Sequence, residues 1–163
     1  MMQTSSSSQR AWLLTFSAEF KAAVAYHEMS QILISPLTFR LSPAPAYCCD
    51  LIIVQNQILP LMNFDYLLKG YGNNSPSTVG IMRHQKKAKA KIETAAVYLQ
   101  KPPESVEVSD AQACDLPTTG ERGYTPHWAE LALSCFLRQG QKIPILDVAY
   151  LFSLAFRQRL LNG

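Results

Sequence analysis

Several things are scarce in this sequence, and each absence removes a class of function. No CxxC pair occurs. The four cysteines, Cys48, Cys49, Cys114 and Cys135, have spacings that suit neither a zinc ligand set nor a redox motif, so reduced thiols and no bound metal are expected. Histidine is limited to His27, His84 and His127, none in a nucleophile motif. Because catalysis needs a nucleophile, a base and an orienting group together, no catalytic residue is assigned. A glycine-rich phosphate loop is also missing, so no nucleotide and no other cofactor is expected. Long apolar runs are absent: the longest aliphatic stretch, Leu51 to Val54, is far below the roughly 20 residues that cross a bilayer. The first ten residues carry four consecutive serines and no apolar core of a leader. The expectation is a cytoplasmic chain without membrane insertion. Charge is modest too, at +3, well short of the basic excess of most nucleic-acid binders.

What is present describes a folded domain. With 163 residues, 48% hydrophobic and 17% charged, the chain has enough apolar surface to offset the entropy of ordering. Residues 1–10 read as a disordered tail. Two strand-like runs follow at 12–20 and 22–33, then a loop punctuated by Pro36, Pro43 and Pro45. Apolar residues flank the polar trio Gln55, Asn56 and Gln57, which reads as a hairpin turn within 51–62. The Gly-, Asn- and Ser-rich stretch 71–77 is the best internal boundary. Beyond it lie strands at 78–84 and 92–100, a polar connection at 109–123, a second hairpin around Gly140, and a helical segment from Val148. The expected organisation is a first β-barrel subdomain at 11–70, a linker at 71–77, a second at 78–157, and a tail at 158–163.

An internal echo supports two related halves. Residues 57–68 (QILPLMNFDYLL) align without gaps to 141–152 (QKIPILDVAYLF), sharing Gln, Pro, Tyr and Leu. Upstream, Pro45-Ala46-Tyr47 answers Pro126-His127-Trp128. Paired small β-barrels fit this pattern, with Pro60 and Pro144 expected at equivalent positions.

The order of strands, proline-bearing loop and hairpin, then Ile58-Leu59-Pro60-Leu61-Met62-Asn63-Phe64 and Tyr66-Leu67-Leu68-Lys69-Gly70, resembles the first half of CheW-like domains, the coupling proteins of bacterial chemosensory arrays. The second half is similar through residues 96–107 and through Ile143-Pro144-Ile145-Leu146-Asp147-Val148. The resemblance implies an all-β fold of two five-stranded SH3-like barrels packed together, with short helical turns and no active site. It also implies an adaptor that couples a chemoreceptor-like protein to the regulatory domain of a histidine kinase, in a chemotaxis or pilus-motility type pathway, recruited to a membrane-associated array. Partner contacts are then expected at Met29, Ile32, Gln55, Asn56, Gln57 and Asp147. The sequence departs from the family pattern where Gln55 and Asn56 stand in place of an Arg-Gly hairpin and where Asn63 replaces an aspartate.

A second class of function rests on Lys86, Lys87, Lys89 and Lys91, which could attract phosphate in a nucleic-acid-binding module. No aromatic platform is interleaved with them, and a solvated hairpin turn is the simpler reading. A thiol or histidine hydrolase is the weakest alternative.

Overall fold

The computed structural model describes residues 7–41, 48, 50–70 and 78–162. The first half opens with the hairpin β1 (Ser8–Thr15) and β2 (Lys21–Ala25), followed by a 3-10 turn at Tyr26–Glu28. Then come β3 (Met29–Ile34), β4 (Thr38–Arg40), the hairpin β5 (Asp50–Val54) and β6 (Gln57–Met62), and α1 (Phe64–Lys69). The second half repeats the plan. A hairpin of β7 (Thr78–His84) and β8 (Glu93–Leu99) leads to β9 (Glu104–Ser109), a 3-10 turn at Asp110–Gln112 and β10 (Ala113–Cys114). After α2 (Trp128–Leu131) come β11 (Ala132–Arg138), β12 (Gln141–Leu146), α3 (Val148–Leu151) and α4 (Leu154–Asn162).

The two predicted hairpins form for a local reason. A two-residue turn of type I′, whose twist matches that of the flanking strands, needs positive φ at both positions. Gln55 and Asn56 adopt φ of 48° and 64°, and Gln139 and Gly140 adopt 51° and 76°. Each second hairpin then runs into a capped helix. Asn63 Oδ1 accepts the Tyr66 N–H at 3.2 Å, and Asp147 Oδ1 accepts the Tyr150 N–H at 3.0 Å. The aligned segments therefore fold alike, with Pro60 facing Leu51 and Pro144 facing Cys135 at the fourth residue of β6 and β12.

The strands form two sheets, ordered β10-β11-β12-β2-β1-β9 and β3-β7-β8-β6-β5-β4. In each, a bent strand supplies both ends of the order. β3 pairs with β7 and its continuation β4 with β5, while β9 pairs with β1 and its continuation β10 with β11. Counting each bent strand once gives the five-stranded barrel that was expected. Sheet membership, however, cuts across the division at 71–77. Hairpin β1–β2 of the first half completes the barrel of β9–β12, and hairpin β7–β8 of the second half completes the barrel of β3–β6. We call these barrels A and B. The exchange is sealed by two parallel contacts, β12 with β2 at Ile145↔Ala23 and β6 with β8 at Leu61↔Ala96 and Met62↔Val97.

Burial explains why the exchanged hairpins lack a polar face. A strand covered on both sides reads as a continuous apolar run instead of alternating. Leu13 and Ala23 point into barrel A, while Leu14, Ala22 and Val24 point into a central core shared by both barrels. On β8, Ala96 and Tyr98 fill barrel B, and Val97 and Leu99 reach the same central core. That core also takes Phe16, Phe20, Phe64, Trp128, Phe152 and Phe156.

Other differences have similar causes. β1 begins at Ser8, inside the expected tail, because Ser8 to Arg10 pair with Glu107 to Ser109, and Arg10 lies over the Tyr26 ring at 4.5 Å. The run at 22–33 is broken by the 3-10 turn, where Glu28 Oε1 accepts the Ala25 N–H at 2.9 Å. α4 extends to Asn162, into the span expected as a C-terminal tail, held by Arg159, which bonds Glu130 Oε2 at 2.5 Å and His127 Nδ1 at 2.8 Å. Residues 1–6, Pro43, Pro45 and the 71–77 linker lie outside the described residues.

Candidate functional site

The alternation of barrel B strands decides which side chains meet solvent. Ile52, Leu59 and Leu61 point inward, so their neighbours Leu51, Ile53, Ile58 and Pro60 point out. The register places Phe39 opposite Leu51, Leu51 opposite Pro60, and Ile53 opposite Ile58. Ile53 is 55% exposed and Ile58 66%. Outward isoleucines in facing pairs give an apolar surface with no covering element among the described residues, a usual mark of an interaction site.

This face runs into a groove. Because β6 and β8 pair only at Leu61/Ala96 and Met62/Val97, the preceding parts of both strands diverge. The resulting space of about 580 Å³ is bordered by Ile58, Pro60 and Met62 on one side, Ile92 and Ala95 on the other, and Phe156 of α4. Glu93 also borders it, and its Oε2 is buried without a hydrogen-bond partner. A buried carboxylate oxygen left unbonded is costly, so a donor entering the groove would gain from meeting it.

At the start of β5, buried Asp50 is satisfied. Its Oδ2 accepts from the Tyr98 hydroxyl at 2.8 Å, and Oδ1 lies 3.3 Å from Arg40 Nε. Elsewhere, Tyr150 donates to Glu130, and burial followed by that bond raises the phenol above its ordinary value. These are structural networks, and neither opens into the groove lining.

The six residues expected to contact partners are dispersed. Gln55 and Asn56 form the exposed β5–β6 turn beside the apolar face, and Gln57 borders the groove while accepting from Thr94 Oγ1 at 3.5 Å. Ile32 is half-buried on β3 opposite Gly80. Met29 is only 9% exposed and packs in the central core. Its sulfur sits where a Cβ on Gly80 would meet it at 3.1 Å, so Gly80 permits that approach. Asp147 is on barrel A, its carboxylate engaged in capping α3. Gln55, Asn56 and Gln57 are thus brought together, and Met29, Ile32 and Asp147 are elsewhere.

Phe39, Ile53, Ile58 and Ile92 were not among the partner contacts expected from sequence. The signal was present in part, since a two-residue turn at Gln55-Asn56 dictates that Ile53 faces Ile58. Ile52 and Leu59 form an equally apolar pair, however, and nothing local says which pair faces the core. The four lysines lie exposed on the β7–β8 connection, closed by Gln85 Nε2 donating to Ala90 O at 2.8 Å. Among the described residues, no group of three His, Cys, Asp or Glu side chains is gathered to hold a metal, and no helix is long and apolar enough to cross a membrane.

No family model matches the sequence, and no curated protein matches it. Among solved structures, the chain is similar to the scaffolding protein TtCheW from Thermoanaerobacter tengcongensis, with a TM-score of 0.66 and 11% identity over 91% of this chain and 94% of that one. At such low identity the likeness concerns backbone architecture. Together with the two five-stranded barrels and their capped helices, it establishes that this chain has the CheW-like fold.

Proposed function

We propose that the protein is a non-enzymatic, CheW-like signalling adaptor that couples a sensory receptor to a histidine kinase in a chemotaxis or pilus-motility type pathway. The observation that carries this reading is the Ile53/Ile58 face, exposed among the described residues, leading into a groove that contains an unbonded Glu93 oxygen. Such a surface suits a protein segment with apolar side chains and one cationic or N–H donor. Gln55, Asn56 and Gln57 would contribute neutral contacts at its rim, whereas Met29, buried in the central core, and Ile32, on β3, stand apart from it. Asp147, on the other barrel, would serve a second partner. Recruitment to a membrane-associated receptor array follows from the same reading. A nucleic-acid role for Lys86, Lys87, Lys89 and Lys91 has less support, because those lysines are solvated and surround no aromatic platform.

The test is calorimetric titration with the regulatory domain of a histidine kinase and with a chemoreceptor tip. Ile58→Lys should weaken binding of one of them about tenfold or more, since interface cores tolerate charge poorly, while leaving the melting temperature unchanged. Gln55→Arg with Asn56→Gly should strengthen binding to a standard receptor tip, because a guanidinium adds charge-assisted bonds. Unchanged affinities in both variants, or salt-sensitive RNA binding lost with the lysines, would overturn the adaptor reading.

A further inference from the structure

The closing seam of barrel A carries two thiols in register. Cys114 on the two-residue strand β10 faces Cys135 on β11, and their sulfurs are 3.4 Å apart. Both are free thiols. Cross-strand partners have Cα separations within the range a disulfide accepts, and closing to a bond requires the sulfurs to approach by about 1.3 Å, within reach of side-chain rotation. We propose that Cys114 and Cys135 form a redox-responsive dithiol whose oxidation by a peroxide locks the seam of barrel A.

The roles of the two sulfurs differ. Cys135 is buried, and that burial, with the neighbouring Cys114, pushes its thiol up to about 12, so it stays protonated. Cys114 is half-buried, and the Lys142 ammonium on β12 acts electrostatically on both sulfurs. Cys135 also borders a cleft of about 450 Å³ lined by Ala23, Ala113 and Ile145.

The chemistry balances with one peroxide. The Cys114 thiolate attacks a peroxide oxygen, forming an S–O bond and breaking O–O, with hydroxide released and protonated by solvent. The Cys135 sulfur then attacks the Cys114 sulfur, forming S–S and breaking S–O. The departing hydroxide takes the Cys135 proton and leaves as water. Two thiols lose two electrons in total, and one hydrogen peroxide becomes two waters. The bond would tie β10, the shorter strand of the seam, to β11 and close the connection that holds Glu121, itself bonded to Lys142 at 3.0 Å.

The experiment uses the full chain carrying Cys48→Ser and Cys49→Ser, treated with hydrogen peroxide and then with dithiothreitol. Both remaining thiols should disappear from alkylation in the denatured protein and return on reduction, with a peptide map linking Cys114 to Cys135 within one molecule. The oxidised form should melt several degrees higher, since a cross-link restricts the unfolded chain. Cys114→Ser should abolish both effects and leave Cys135 alkylatable. Circular dichroism confirms that each variant is folded, and Cys114→Ala replaces Cys114→Ser if the latter is not. Oxidation that stops at a sulfinic acid, links two molecules, or leaves both thiols intact would overturn the proposal.

Discussion

Asn63 and Asp147 perform the same local task with different charge. Each ends a strand, turns its oxygen back onto the N–H three residues later and starts a short helix. An amide serves as well as a carboxylate in this position, which is why the first half tolerates Asn where the second keeps Asp. Asn63→Ala and Asp147→Ala should each lower stability by about 1 kcal/mol in urea titration, and Asp147→Asn by far less. If Asp147→Asn preserves stability and still weakens kinase-domain binding, the carboxylate has a recognition role beyond its cap. If Asp147→Ala leaves stability unchanged, the hydrogen bond at 3.0 Å contributes nothing and the capping account fails.

At the scale of elements, the hairpins and capped helices were legible because their causes are local. Polar turn residues between apolar flanks and a proline at a fixed strand position act within a few residues, and so do the Asx caps, which the structure added to that reading. Residues 57–68 and 141–152 repeat that grammar. The exchange of hairpins was not legible, because Leu13-Leu14 and Ala96-Val97 are apolar toward both sides and carry no label for their partner. Met29 was misplaced for a related reason: on a strand of mixed residues, only the register with Met82 sends it inward. α4 depends on a non-local network too, with Arg159 bonded to Glu130 and His127 near α2. Arg159→Ala should therefore speed hydrogen exchange of α4 amides severalfold while leaving β1 and β8 protected, since local opening tracks the contacts of each unit. Equal acceleration throughout would mean that α4 is integral to the whole core.

For the whole molecule, the exchange makes the two sequence halves interdependent. A fragment 1–77 contains β3–β6 without the hairpin that completes barrel B, and a fragment 78–163 lacks the hairpin that completes barrel A. Separately expressed, each should be largely unfolded by circular dichroism, and an equimolar mixture should regain strand signal. A half that folds alone to a cooperative unit would show that the exchanged hairpins are interchangeable within one barrel, and the central core around Phe64 and Trp128 would then be secondary.

The parallel contact between Ile145 and Ala23 spans 145 − 23 = 122 residues. On a ribosome the β1–β2 hairpin emerges early, and the strands it must join follow only after most of the chain. At ordinary synthesis rates that interval is roughly 6 to 24 s, long compared with the microseconds in which a hairpin forms. During it, Leu13 and Ala23 lack Ile143, and Leu14, Ala22 and Val24 lack Leu146 and Val148, which complete their cover. Such non-local pairing slows folding and leaves an intermediate open to association. A nascent chain of this protein is therefore a natural client for chaperones until β12 arrives.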